Sequence, residues 1–434
     1  MGQGLSDLKR PQPLGLFPLP AGYLLIPAST DPAVDETRAQ LASGNLPQEW
    51  PAALAAHQLA HAGDLDGAYA AFGDDEVGAF NRYVIDPTGV DRDALRASLP
   101  QDLAPLVDVI AYACGLSNVP PEEGETTGEV LALIRAARAT SLLEAGDPAG
   151  AVDVLNDAAE AAEPVSAPLA AILLGNGAVI AHDHALRGAD PINELGAVLK
   201  VLQGTDVPVA RAELHLQRGL CLHELAATGR RPLTDAVDEY YSALQLVGQA
   251  SAPQVWASAN LNLGTAYLTM PMVEASDQLR AGIAMQALRG ALEVFTQEDF
   301  PQEWASAQMN LANALVYTPS THQGDNIVEA VERYEEVLEM RERQGDPLGR
   351  ARILANQGNA LAHLGVFDHA KSKLYEARFL FEEQGDVDAV LTVRSVLDEI
   401  AKQVVPGSQG PRFGVPQGEE VELVRELREQ GVES

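Results

Sequence analysis

The stretch PQEWASAQMNLANAL, Pro301 to Leu315, decides the fold, because a second copy, PQVWASANLNLGTAY, stands at Pro253 to Tyr267. Both copies open on a proline and reach a small residue, Gly or Ala, eleven positions later, with alanine-rich helical text between. The same frame spans Pro347 to Gly358, Pro208 to Gly219 and Pro164 to Gly175. Successive prolines are 44, 45, 48 and 46 residues apart. Self-similarity at such a period is the signature of helix pairs stacked into a solenoid, each unit burying its apolar face on the next.

Composition agrees with an all-α chain. Of 434 residues, 46% are hydrophobic and only 5% aromatic. Abundant alanine suits closely packed helices, whereas a sandwich or barrel would be enriched in β-branched and aromatic side chains. The balance of 29 Lys and Arg against 62 Asp and Glu, a net charge of −33, repels phosphate backbones and anionic bilayers. Neither a nucleic acid nor a membrane is expected as partner; a neutral or basic protein or peptide is. No apolar run is long enough to span a bilayer and no leader pattern opens the chain, so the expected compartment is the cytoplasm. Cys114 and Cys221, both in apolar helical text, read as buried free thiols.

Four regions follow from the punctuation. Residues 1–34 form a Pro-rich strap in which Leu24, Leu25 and Ile26 suit a short strand or an extended segment laid on the first helices. The opening Met-Gly-Gln-Gly-Leu-Ser fits the loose myristoylation pattern, which is short enough to arise by chance. Residues 35–127 are a divergent helical region. Here Pro47-Gln-Glu-Trp50 echoes Pro301-Gln-Glu-Trp304, and a Gly turn followed five residues later by Ala recurs at Gly63, Gly146 and Gly365. Residues 128–403 carry the array. Residues 404–434 hold a Pro/Gly linker and a short amphipathic helix, Glu419 to Glu429, suited to docking in cis, on a partner or on a second subunit as a homo-oligomer contact.

The clearest unit, Pro347 to Asp386, resembles a tetratricopeptide repeat: Gly358 and Leu361 on the first helix, a turn at Gly365, then Ala370, Leu374 and Ala377 on the second. Small residues at Gly358, Ala370 and Ala377 would form the seam between the helices, with Leu361, Leu374 and Phe381 around them. Gln-Gly-Asp, at residues 344–346 and 384–386, would end a helix on a Gly cap. The long units, with an insertion at Tyr317 to Asn326, also resemble the Asn-bearing repeats of kinesin light-chain and spindle-orientation adaptors and of bacterial arrays.

Aligning the units on their small residue places Asn262, Asn310 and Asn356 at one site, with Gln217 before them, and Asn313, Asn359 and, less regularly, Asn176 three positions on. Positions i and i+3 share a helix face. The tetratricopeptide resemblance implies that this face lines a concave groove, where Asn, both donor and acceptor, would clamp the backbone of an extended peptide. A merely solvated helix face is the competing explanation. Arg218, Arg350 and Arg352 are the few cations near the groove, too few for the clamp with which this family grips a C-terminal carboxylate.

Chemistry has little foothold. His57 and His61 are spaced i, i+4 but lack the Glu of a metalloprotease helix and an evident third ligand. His182 and His184 point apart on a helix, and His363 and His369 flank a turn. There is no nucleophile elbow, phosphate loop or Cys-x-x-Cys. Trp256 and Trp304 read as plugs between units. The expectation is a non-enzymatic scaffold or adaptor without cofactor or metal. The alternatives are an assembly chaperone for a subunit of a larger enzyme and, from another class, a helical-barrel hydrolase or metal-dependent enzyme.

Overall fold

The computed structural model describes residues 24–27, 29–270, 277–342 and 345–404. The Met-Gly opening, the Pro-rich text before Leu24 and the helix expected at Glu419 to Glu429 lie outside them. The described residues contain helices and no strand. Consecutive helices pack as pairs, giving an all-α solenoid, and the chain divides into two compact units, residues 1–247 and 248–434.

The first unit begins with short helices: α1 (Pro32–Ala42), α2 (Ala55–His61), α3 (Leu65–Ala71), α4 (Glu76–Ile85), α5 (Arg92–Ser98) and α6 (Pro105–Ala113). Longer pairs follow: α7 (Gly128–Glu144) with α8 (Pro148–Ala162), α9 (Ala167–Asp183) with α10 (Pro191–Val201), and α11 (Pro208–Ala227) with α12 (Leu233–Leu246). The second unit holds α13 (Pro253–Thr269) with α14 (Asp277–Leu292), α15 (Pro301–Tyr317) with α16 (Gln323–Glu342), α17 (Pro347–His363) with α18 (Phe367–Gln384), and a last helix α19 (Val387–Val404).

The proline frame works as expected in four units: Pro208, Pro253, Pro301 and Pro347 each stand at the first helical position, where a missing N–H costs nothing. Pro164 differs. It lies in the turn before α9, whose cap is Ser166 and whose early proline is Pro168. The echo at Pro47 also fails to start a helix: Trp50 is followed by Pro51, and a residue before proline is pushed out of the α region. Trp50 instead stacks on His61 with ring centroids 6.2 Å apart.

The seam is steric. A β-carbon added at Gly358 would sit 2.7 Å from Leu374 Cγ and 3.1 Å from the Ala370 carbonyl; at Gly264 it would meet Leu288 Cγ and the Ala284 carbonyl at the same two distances. Two units 94 residues apart thus close their helix pairs identically. Ala370, Leu374, Ala377 and Phe381 are all buried, as are Trp304 and, partly, Trp256, which stands against Gly290. The three Gly turns carry positive φ, 84° at Gly63, 79° at Gly146 and 75° at Gly365, and the alanine five residues after each is fully buried.

Joints between units do more than the Gly cap alone. Gly385 ends α18 in the left-handed region, and the next residue, Asp386, accepts from Ala389 N to start α19. Ahead of α17, Gly345 also has positive φ, 68°, and Asp346 accepts from Gly349 N at 2.8 Å. Asp therefore supplies the N-cap that satisfies the free amides of the following helix.

Leu24, Leu25 and Ile26 are buried and lie in no helix and no strand. Asn81 on α4 takes the place of a strand partner: its side chain accepts from Leu25 N and donates to Leu25 O, each at 2.8 Å. His57 Nε2 reaches the same carbonyl at 2.9 Å. Cys221 is buried, its thiol pushed up to about 12 by burial; Cys114, at the end of α6, is only half-buried, because the helix stops there and the chain turns outward.

Candidate functional site

In the second unit the asparagines form a register. Numbering each unit from its small residue, Asn310 and Asn356 stand two positions before it, while Thr265, Asn313 and Asn359 stand one after. Asn310 Nδ2 donates to Thr265 Oγ1 at 2.9 Å, joining α15 to α13. Asn356 Nδ2 donates to Asn313 Oδ1 at 3.1 Å, joining α17 to α15 by the same offset. Asn359 Nδ2 continues the line to the Tyr317 hydroxyl at 2.8 Å. Asn313 Oδ1 also accepts from Tyr334 OH on α16, at 2.6 Å, tying the row to the second-helix layer. First helices of successive units are therefore stitched side by side through their asparagines. Asn262 turns back on its own helix and donates to Ser258 O at 2.9 Å.

These side chains are half-buried rather than solvated. Each amide offers more hydrogen-bonding capacity than the stitches use. Among the described residues no partner stands at Oδ1 of Asn310, Asn356 or Asn359, so a row of carbonyl oxygens remains available beside Tyr317, which is 59% exposed.

Two of the cations have other engagements. Arg350 forks onto Glu376 Oε1 at 2.8 and 3.1 Å. Arg218, in the first unit, donates to Ile192 O at 3.1 Å and pairs with Glu239, which His215 also contacts at 2.6 Å. Gln217 is half-buried on α11, in the first unit with Arg218. What the sequence reading missed is the far end of two of the stitches, Thr265 and Tyr317. Thr265 occupies the register position of Asn313 and Asn359, so the alignment itself contained it; Tyr317 lies off that register.

The histidines are placed by packing. Burial holds His57 down to about 4, against the support of its bond to Leu25 O, and its ring meets Phe72 edge-on at 5.2 Å. Burial also lowers His363. His182 contacts Glu224 at 3.2 Å. Among the described residues no three His, Cys, Asp or Glu side chains are grouped to hold a metal, and no helix is long and apolar enough to cross a membrane.

No family model matches this sequence, and no curated protein matches it. Solved structures similar to it include the apo form of RapI, 13% identical, over 81% of this chain and 96% of that one, with a TM-score of 0.42. A likeness at that level names no family and assigns no partner.

Proposed function

We propose that the protein is a non-catalytic binding scaffold, and that the row Asn262, Asn310, Asn313, Asn356 and Asn359 receives an extended segment of a neutral or basic protein. The observation that carries this is the fixed offset of the stitches, which leaves the amide oxygens of Asn310, Asn356 and Asn359 along α15 and α17. Carbonyl oxygens accept; they suit the N–H groups of an extended backbone and the side chains of Lys or Arg. The acidic surface of the chain, net −33, would draw such a segment in. The likeness to the Asn-bearing tetratricopeptide adaptors belongs to this reading, as does residues 128–403 being one run of repeats, supported by the proline frame recurring on both sides of Val247.

The test separates ligand from stitch. Peptides selected for binding from a displayed library are titrated against the wild type, Asn310→Ala/Asn359→Ala and Thr265→Val. The double variant removes two amide oxygens and should weaken binding roughly tenfold, at about 1 kcal/mol or less per hydrogen bond. Thr265→Val breaks the stitch but leaves Asn310 in place, and should bind nearly as the wild type does. Equal losses in both variants, or none in either, would leave the row a structural device and overturn the reading.

A further inference from the structure

A second surface, independent of the asparagine row, lies wholly within the first unit. Helices α8 and α10 both pack on α9. The second helices of the other long pairs run from 14 to 20 residues, but α10, which starts at Pro191 under the Asp190 cap, has only 11. One face of the 17-residue α9 is left short of cover, and an open groove of about 1010 Å³ lies over it.

Its floor is apolar. Ala170, Leu174, Gly177, Ala178 and Ala181 stand at i, i+4, i+7, i+8 and i+11, one stripe of the helix. Val152 on α8 and Val198 and Val201 on α10 form the walls. Leu174 and Val201 are 43% and 53% exposed. The rim is acidic: Asp153 and Glu160 on α8, Glu163 at its C-cap and Glu194 on α10, against the one cation Arg187. Asp153, Glu160 and Glu163 make no ion pair among the described residues, so their charge faces whatever enters.

We infer that this groove docks an amphipathic helix of a partner protein, apolar face down and basic residues along its edges. Small floor residues let a helix axis come within the 8 to 10 Å typical of packed helices, as bulky ones would not. Charge selects the occupant. The chain's own Glu419–Glu429 segment, EEVELVRELRE, is net acidic, and a second copy of the chain brings a charge of −33; the rim repels both. A fatty acid would present its carboxylate to the same rim.

The probe is a fluorescein-labelled peptide of about 14 residues, roughly 21 Å of helix, built from Leu on one face and Lys on the other. Its companions are a scrambled peptide of the same composition and a Leu/Glu counterpart. Anisotropy titrations with the full chain should show the Leu/Lys helix binding at least tenfold tighter than the scrambled one, and no binding of the Leu/Glu peptide. Two exposed-site variants, Leu174→Gln/Val201→Gln and Glu160→Lys/Glu163→Lys, should each weaken the Leu/Lys helix at least tenfold with unchanged melting. Equal binding of the scrambled peptide would mean that charge alone attracts it. That result, retained affinity in both variants, or n-decanol binding at the groove while the peptide does not, would overturn the proposal. Loss of binding here leaves the asparagine row untouched, so the two ideas fail separately.

Discussion

The helix pair α17 and α18 and the short helices α1 to α6 solve one problem, holding helices together, by opposite means. In the pair, a glycine admits the partner helix to within van der Waals reach, and nearly every contact is between consecutive helices. Around α2 and α4 the tie is polar and distant in sequence: the strap at Leu25 is held by Asn81, 56 residues away, and by His57, 32 away. A little further on, Asp206 accepts from Leu46 N at 2.9 Å across 160 residues. Repetition makes the first solution robust and periodic. The second depends on a few buried groups whose loss nothing nearby replaces.

Breaking the steric side should have the largest effect. Gly358→Leu forces a branched side chain into space already filled by Leu374 and the Ala370 carbonyl, and should cost at least about 3 kcal/mol in denaturant unfolding. A variant that melts like the wild type would show that the seam has slack that the distances deny.

The polar side should yield to acid. Unfolded, His57 takes a proton as the pH falls below about 6.5; folded, it does not until about 4. Its contribution is therefore complete above pH 6.5, shrinks as the pH drops toward 4 and levels off below, with an upper limit of about 3 kcal/mol. His57→Gln can keep a donor toward Leu25 O without titrating. The difference in stability between wild type and variant, followed from pH 7 to 4, isolates this residue from His223 and His363, which burial also lowers. Parallel curves would remove His57 as the source of acid sensitivity.

A smaller change is expected from Asn81→Leu, which keeps the volume but leaves Leu25 N buried and unmatched, at about 2 kcal/mol. Hydrogen exchange should show the strap opening before α7 to α12 do; simultaneous opening would merge the two regions that the comparison keeps apart. The smallest effect belongs to a single stitch. Asn356→Ala removes one bond to Asn313 and should cost about 1 kcal/mol, partly offset by alanine's better helix propensity.

How much of this was readable follows the same division. The Pro-to-Gly frame, the seam at Gly358, Ala370 and Leu374, and the three Gly turns were legible, because a periodic constraint writes itself into the sequence once per unit. Asn310, Asn313, Asn356 and Asn359 were legible as positions. That their amides reach Thr265, Tyr317 and one another was not, because a hydrogen bond between neighbouring units depends on how far their first helices are offset, and spacing within one unit says nothing of that. Asn81 and His57 left no periodic trace at all. The spacing of His57 and His61 put both on one helix face, yet the rings part: one reaches Leu25, the other stacks on Trp50.

The Gly-Asp pairs at 345–346 and 385–386 have a consequence for engineering. At 385–386 one residue stops a helix and its neighbour starts the next, so that connection has no length to lose, and at both pairs the Asp caps the helix that follows. Such a joint is a natural place to cut and splice. A unit excised from Asp346 through Gly385 takes its own start and stop signals with it, and the ends left behind, Gly345 and Asp386, restore the same pair when rejoined.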